Sequence, residues 1–137
     1  MSVSHTTGTG IRSFHLSAEA ERGFAYAQAT SLEGLVYVAG TLSLDEAFAV
    51  VGKGDMAAQL ECAYERIRRT LAAHRATFAD VLKETVYVTD MDAMLAANGV
   101  RARTYGTHTP ACTVVEIRRL AFPDCMVEIE LIARDRS

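Results

Sequence analysis

The stretch Val81-Leu-Lys-Glu-Thr-Val-Tyr-Val-Thr-Asp-Met-Asp92 decides the fold. Residues 81–89 are rich in β-branched side chains, with Val86-Tyr87-Val88 at the centre, and suit a half-buried strand. Asp90 then offers a side-chain oxygen to the free N–H groups of a following helix. That helix is expected from Met91 to about Tyr105, with Gly106 placed to end it. Upstream, Asp55 is a matching cap for a long helix to about His74. Met56, Leu60, Ala63, Tyr64, Ile67 and Leu71 recur at three- and four-residue spacing and form its buried stripe. Glu61, Glu65, Arg66, Arg68 and Arg69 are expected to face water.

Further out, Phe24–Thr30 and Gly34–Gly40 read as strands joined at Ser31-Leu32-Glu33, and residues 42–54 as a loop. Cys112–Leu120 and Met126–Ala133 are the last two strands. The second of these sets Val127, Ile129 and Leu131 on one face against Glu128 and Glu130 on the other. Ile11–Leu16 suits a short edge strand, and residues 1–10, rich in Ser, Thr and Gly, a flexible N-terminus. Residues 11–137 then form one two-layer α+β domain, a mixed sheet with two helices on one face. The sheet face without helices needs cover, and other copies of the chain supply it most simply, so a closed homo-oligomer is expected.

Composition sets the outer limits. A chain of 137 residues with 50% hydrophobic and 23% charged residues can build a core without disulfides or metal. Its formal net charge of −3 argues against a nucleic-acid surface. Cys62, Cys112 and Cys125 make neither a CxxC pair nor a zinc spacing, so no metal is expected and a reducing, cytoplasmic setting is. No apolar run reaches the ~20 residues that span a membrane, so no membrane partner is expected.

Several segments, taken in order, carry a family resemblance: Tyr26-Ala-Gln28, Leu35-Val-Tyr-Val-Ala-Gly40, Lys83–Asp92, Pro110-Ala111, Val114-Val-Glu-Ile117 and Val127-Glu-Ile-Glu-Leu-Ile-Ala133. In order and spacing the chain resembles the Rid proteins, the reactive intermediate deaminases, also called the YjgF family. The resemblance implies a chorismate-mutase-like fold and a homotrimer with clefts between subunits. It also implies cofactor-free hydrolysis of imines and enamines, such as 2-aminoacrylate, to ketoacids and ammonia. Position by position, it points to Tyr26 as the cleft tyrosine and to Ala39 and Gly40 as backbone contacts to substrate. Asn98 matches a helix asparagine near the cleft. Glu128 matches the glutamate that positions or activates water. Cys112 and Val114 fall in the strand that carries substrate-binding residues.

Cys112 stands where the deaminases have an arginine that clamps the substrate carboxylate: Pro110-Ala-Cys-Thr replaces Pro-Ala-Arg-Thr. A hydrogen bond to a charged group is worth roughly 1.5–3 kcal/mol, so losing the clamp costs about ten- to hundredfold in binding. Either Arg101, Arg103, Arg118 or Arg119 supplies the cation, or the substrate is not a small 2-imino acid. Cys112 reads as a nucleophile, with His108 nearby, or as a small filler. Glu128 reads as a general acid–base or as a solvated carboxylate, with Glu130 a weaker candidate and Glu116 structural. Asn98-Gly99 reads as a cleft amide with a close-packed glycine or as a helix irregularity. The functional expectations are a deaminase of an imine, enamine or related unsaturated amine other than 2-aminoacrylate, or a trimer that binds a small metabolite or a partner without catalysis. Endoribonuclease action, attached to some family members, fits the acidic charge least.

Overall fold

The computed structural model describes residues 5, 6 and 8–137. Its elements are β1 (His5–Thr6), β2 (Arg12–Phe14), α1 (Ala18–Gly23), β3 (Ala29–Leu32), β4 (Leu35–Leu42), α2 (Met56–Ala73), β5 (Val81–Val88), α3 (Met91–Ala96), α4 (Asn98–Tyr105), β6 (Ala111–Glu116) and β7 (Val127–Arg134). One seven-stranded sheet runs β1-β2-β3-β4-β7-β5-β6. β5 and β6 pair in parallel; the other neighbours pair antiparallel. The α+β class is as read from the sequence: a mixed sheet with helices on one face.

The expected stripe of α2 is buried throughout and packs with Val36, Val38, Val86, Val127, Ile129 and Leu131. Asp55 caps this helix by accepting from the Ala58 N–H at 3.0 Å. Arg66, expected in water, is instead buried, because its Nη1 reaches across to donate to the Leu42 carbonyl at 2.8 Å.

Other boundaries also differ from expectation. The segment 24–28 is not a strand: β3 starts at Ala29, and Ala25 has φ +61°. The hairpin turns at Glu33-Gly34, not at Ser31-Leu32-Glu33. Both turn residues have positive φ, as a two-residue turn matched to strand twist requires. The helix expected over 91–105 is two helices, broken at Ala97. α1 was not foreseen, and β6 ends at Glu116 rather than at Leu120. Of residues 1–10, those at 1–4 and 7 lie outside the described residues, and His5–Thr6 pair with β2.

A bulge in β4 positions the site. Val38 pairs with Leu131 and Thr41 with Ile129, so β4 spends one more residue than β7 over this span. The extra residue reverses side-chain parity beyond it. Val36 and Val38 face the helices, whereas Leu42, paired with Glu128, faces the other side. There it joins Leu44, Leu120 and Cys125 in a second, smaller cluster. The helix-free face is mixed rather than purely apolar. Tyr37 and Val115 are exposed, and Tyr87 donates to Glu130 while Lys83 donates to Thr113.

Candidate functional site

Glu128, Tyr26, Ala39 and Gly40 come together in one cleft of about 350 Å³, walled by Phe24, Leu42, Leu44, Phe48, Ala121 and Phe122. Glu128 is brought there by its outward position in β7. Gly40 makes room for it: a Cβ on Gly40 would lie 1.9 Å from Glu128 Oε1 and 2.8 Å from its carboxyl carbon. The glycine is thus required by close approach of a carboxylate, not by backbone dihedral. Burial raises the Glu128 pKa above the usual carboxylate value, and the charge of Glu130 adds to the effect. Among the lining residues there is no Lys, Arg or His.

Tyr26 is held by a network that the sequence reading missed. Glu21, fully buried, lies 2.8 Å from His15 Nδ1 and accepts from the backbone N–H groups of Leu16 (3.1 Å), Ser17 (2.7 Å) and Gln28 (2.9 Å). Gln28 in turn donates its amide to Thr41 Oγ1 at 3.0 Å, and its carbonyl accepts from the Ala39 N–H at 2.9 Å. The Tyr-x-Gln segment is therefore pinned at Gln28 to the bulge that carries Gly40. Burial raises the Tyr26 pKa, with the charges of Glu21 and Glu128 adding to it and that of Arg66 opposing it, so its hydroxyl stays protonated.

Cys112, Val114 and Asn98 are not among the residues lining this cleft. β6 is the far edge strand, and Cys112 and Val114 sit on its helix-facing side. Cys112 Sγ donates to Glu84 Oε1 at 3.5 Å, and Val114 packs against the main core. Glu84 is a second buried hub. It accepts from Tyr64 (3.0 Å), Tyr105 (2.6 Å) and Arg101 Nε (2.7 Å). Arg101 is thus committed to Glu84, and Arg103 lies 3.7 Å from Glu61 at the surface. Arg118 and Arg119 are exposed. His108 faces the Val81 carbonyl at 2.7 Å and forms no pair with Cys112. Glu116 accepts from the Met91 N–H at 2.9 Å and so caps α3, a structural role. Asn98 is exposed at the first turn of α4. Gly99 meets only Arg103 Nη1 at 3.4 Å, so the break at Ala97 accounts for Asn98-Gly99.

Burial and the neighbouring Glu84 charge raise the Cys112 thiol pKa, the opposite of what activates a nucleophile. Cys112 is exposed, Cys62 half-buried and Cys125 buried. A thiol reagent on the native protein is expected to label Cys112 first but slowly at neutral pH, speeding up only on the alkaline side. Mass mapping against pH checks this, and fast labelling at pH 7 would contradict it. Among the described residues, no three His, Cys, Asp or Glu side chains are grouped to hold a metal ion.

A second expected result concerns Gly40→Ala. The added methyl must push the Glu128 carboxylate aside, and misplacing a reacting group by about 1 Å can cost on the order of a hundredfold in rate. Turnover is expected to fall on that scale while unfolding midpoints move little. In a Glu128→Ala background, which has no side-chain end for the methyl to displace, the same change is expected to cost nothing further.

The family model described as endoribonuclease L-PSP matches residues 18–135. A RutC family protein of Pyrococcus horikoshii is 35% identical over 108 residues, which cover 79% of this chain and 85% of the relative. A RutC family protein of Pyrococcus abyssi is 33% identical over a similar span. A solved structure from Mycobacterium tuberculosis, of the YjgF/YER057c/UK114 family, superimposes with a TM-score of 0.79 at 33% identity, covering 90% of this chain and 98% of that one. A YjgF family protein of Neisseria meningitidis gives 0.75 at 30% identity, over 97% and 99% of the two chains. With this fold, and with a sequence match over most of its length, the chain belongs to the YjgF/Rid family.

Proposed function

We propose that the Tyr26–Glu128 cleft hydrolyses an imine, enamine or related unsaturated amine without a cofactor, on a substrate other than 2-aminoacrylate. The observation that supports this most is the approach of Glu128 to Gly40. A carboxylate with a raised pKa stands over a bulge stripped of side chain, leaving room for water and a flat C=N group beside it. Glu128 takes a proton from water as its oxygen adds to the C=N carbon, and returns a proton to nitrogen as the carbinolamine breaks down. The Tyr26 hydroxyl donates to the substrate, and the net change is R₂C=NH + H₂O → R₂C=O + NH₃. Ammonia release from a panel of enzymatically generated imines tests this. Acceleration of at least one over its spontaneous rate is expected, and no acceleration across the panel would sink the reading.

The same cleft supports a second reading, binding without catalysis. The observation on its side is that Cys112 and Arg101 turn toward Glu84, so that no cation faces the cleft within the subunit. Ligand binding with no ammonia release would select it.

The homotrimer belongs to the same proposal. The family match supports it, as does a helix-free sheet face bearing exposed Tyr37 and Val115. Sedimentation equilibrium at micromolar concentration is expected to give three chain masses; one chain mass would contradict it. No helix among the described residues is long and apolar enough to cross a membrane. With three free cysteines, the cytoplasm is the proposed compartment.

A further inference from the structure

Resting on the reading of the Tyr26–Glu128 cleft as a hydrolytic site, we infer that its substrate is an arylalkyl imine, carrying an aromatic ring and no carboxylate. Three phenylalanines form one wall. Phe24 and Phe48 stack with ring centroids 6.0 Å apart and planes 20° from parallel, and Phe122 meets Phe48 edge-on at 6.1 Å and 80°. Phe24 is 67% exposed, the most exposed large hydrophobic residue among those described. A bare aromatic at the mouth of a cleft is costly unless something apolar covers it. A third ring laid against this pair, stacked or edge-on, gains more than an alkyl group of equal area, by roughly tenfold in binding.

The same cleft excludes a carboxylate. Its ionisable lining groups are Glu128 and Tyr26, and Glu130 adds a second negative charge nearby. Neither Arg66 nor Arg101 lines the cleft, although the Nη2 of each is buried without a hydrogen-bond partner. Arg66 Nη1 is bound to the Leu42 carbonyl at 2.8 Å, and Arg101 Nε to Glu84 at 2.7 Å. Cys112, at the position of the clamp, brings no positive charge. An anionic ligand meets two carboxylates and no cation lining the cleft, with Arg66 acting on Tyr26 from outside the lining, whereas a neutral or protonated C=N group finds an acceptor in Glu128.

The step balances as aryl–CH₂–CH=NH + H₂O → aryl–CH₂–CHO + NH₃, with the water oxygen becoming the carbonyl oxygen and the C=N electrons leaving with ammonia. A substrate of this kind arises by two-electron oxidation of a primary arylalkylamine, so the reaction that supplies it is an amine oxidation.

The test has two arms. In the first, the imine generated from phenethylamine by a flavin amine oxidase is compared with 2-iminopropionate generated from alanine by a flavin amino-acid oxidase. The aryl imine is expected to be hydrolysed with at least tenfold higher kcat/KM. Phe48→Ala is expected to remove most of that advantage, lowering kcat/KM for the aryl imine by more than that for 2-iminopropionate. In the second arm, phenethylamine and phenylacetate are titrated by calorimetry into the protein. Phenethylamine is expected to bind at least tenfold more tightly, and Phe24→Ala to weaken it about tenfold. If no imine is accelerated but phenethylamine still binds through Phe24 and Phe48, the hydrolase reading falls and the ligand class stands. Equal binding of phenylacetate, or preference for 2-iminopropionate, would overturn the inference. So would a Phe24→Ala protein that changes its oligomeric state instead of its affinity, since Phe24 would then be covered by another subunit.

Discussion

Glu128→Gln is expected to lower ammonia release by about 10²–10⁴-fold, the usual range for removing a positioned general base, with KM little changed. Glutamine keeps the shape and one acceptor oxygen, so water is still held, but the amide cannot take its proton. The pH profile provides a readout that a structural role would not move. In the natural protein the active form is the ionised carboxylate. As pH falls through its raised pKa the base is protonated and the rate declines, so the acid limb should fall above the ordinary carboxylate value of 4.5. The Gln variant has no group to titrate there, and that limb should be absent from its residual rate. Full activity in Glu128→Gln, or an unchanged acid limb, would move the chemistry to another residue. Tyr26, the remaining polar side chain of the cleft, would be tested next.

What could be read from the residues, and what could not, divides by distance along the chain. α2 was legible because its stripe repeats within one turn and Asp55 sits directly before it. β5 and β7 were legible for the same reason: alternation is a local signal. Glu128 and Gly40 were reachable through the family motif, yet their mutual contact was not. It depends on a bulge that shifts β4 against β7, and no residue in 38–41 announces one beyond the glycine itself. Phe24–Gln28 looked like a strand because its residues are apolar and aromatic. It is held instead by Glu21, which no local pattern sets apart from Glu19 and Arg22. Glu84 was equally silent. Its partners Tyr64, Arg101, Tyr105 and Cys112 come from α2, α4 and β6, so nothing local distinguishes it from an exposed strand glutamate. The wall of Phe24, Phe48 and Phe122 likewise gathers a turn and two loops far apart in the chain.

Glu21→Ala is expected to cost about 3 kcal/mol or more of folding stability, because three backbone donors lose their acceptor at once. The carboxylate is fully buried and satisfies three backbone N–H groups besides His15. Alanine leaves each of those donors without a partner, and a buried unsatisfied donor costs roughly 1–3 kcal/mol. Against a total stability on the order of 5–15 kcal/mol, that is a large share. The loss should also be local before it is global. The Gln28 N–H is one of the abandoned donors, and Gln28 ties the Tyr26 segment to Thr41 and Ala39 beside the bulge. Hydrogen exchange in residues 24–28 is therefore expected to quicken in Glu21→Gln, a milder change that keeps one acceptor oxygen and serves if the alanine protein does not fold. Turnover in that variant should fall as the Tyr26 hydroxyl loses its fixed place, while exchange in the α2–β5–β7 core stays slow. Denaturant unfolding of both variants, read beside site-resolved exchange, separates the two effects. A midpoint shift worth less than about 1 kcal/mol for Glu21→Ala, within the range of an exposed ion pair, would show that His15 and the 15–17 turn hold this corner without the carboxylate.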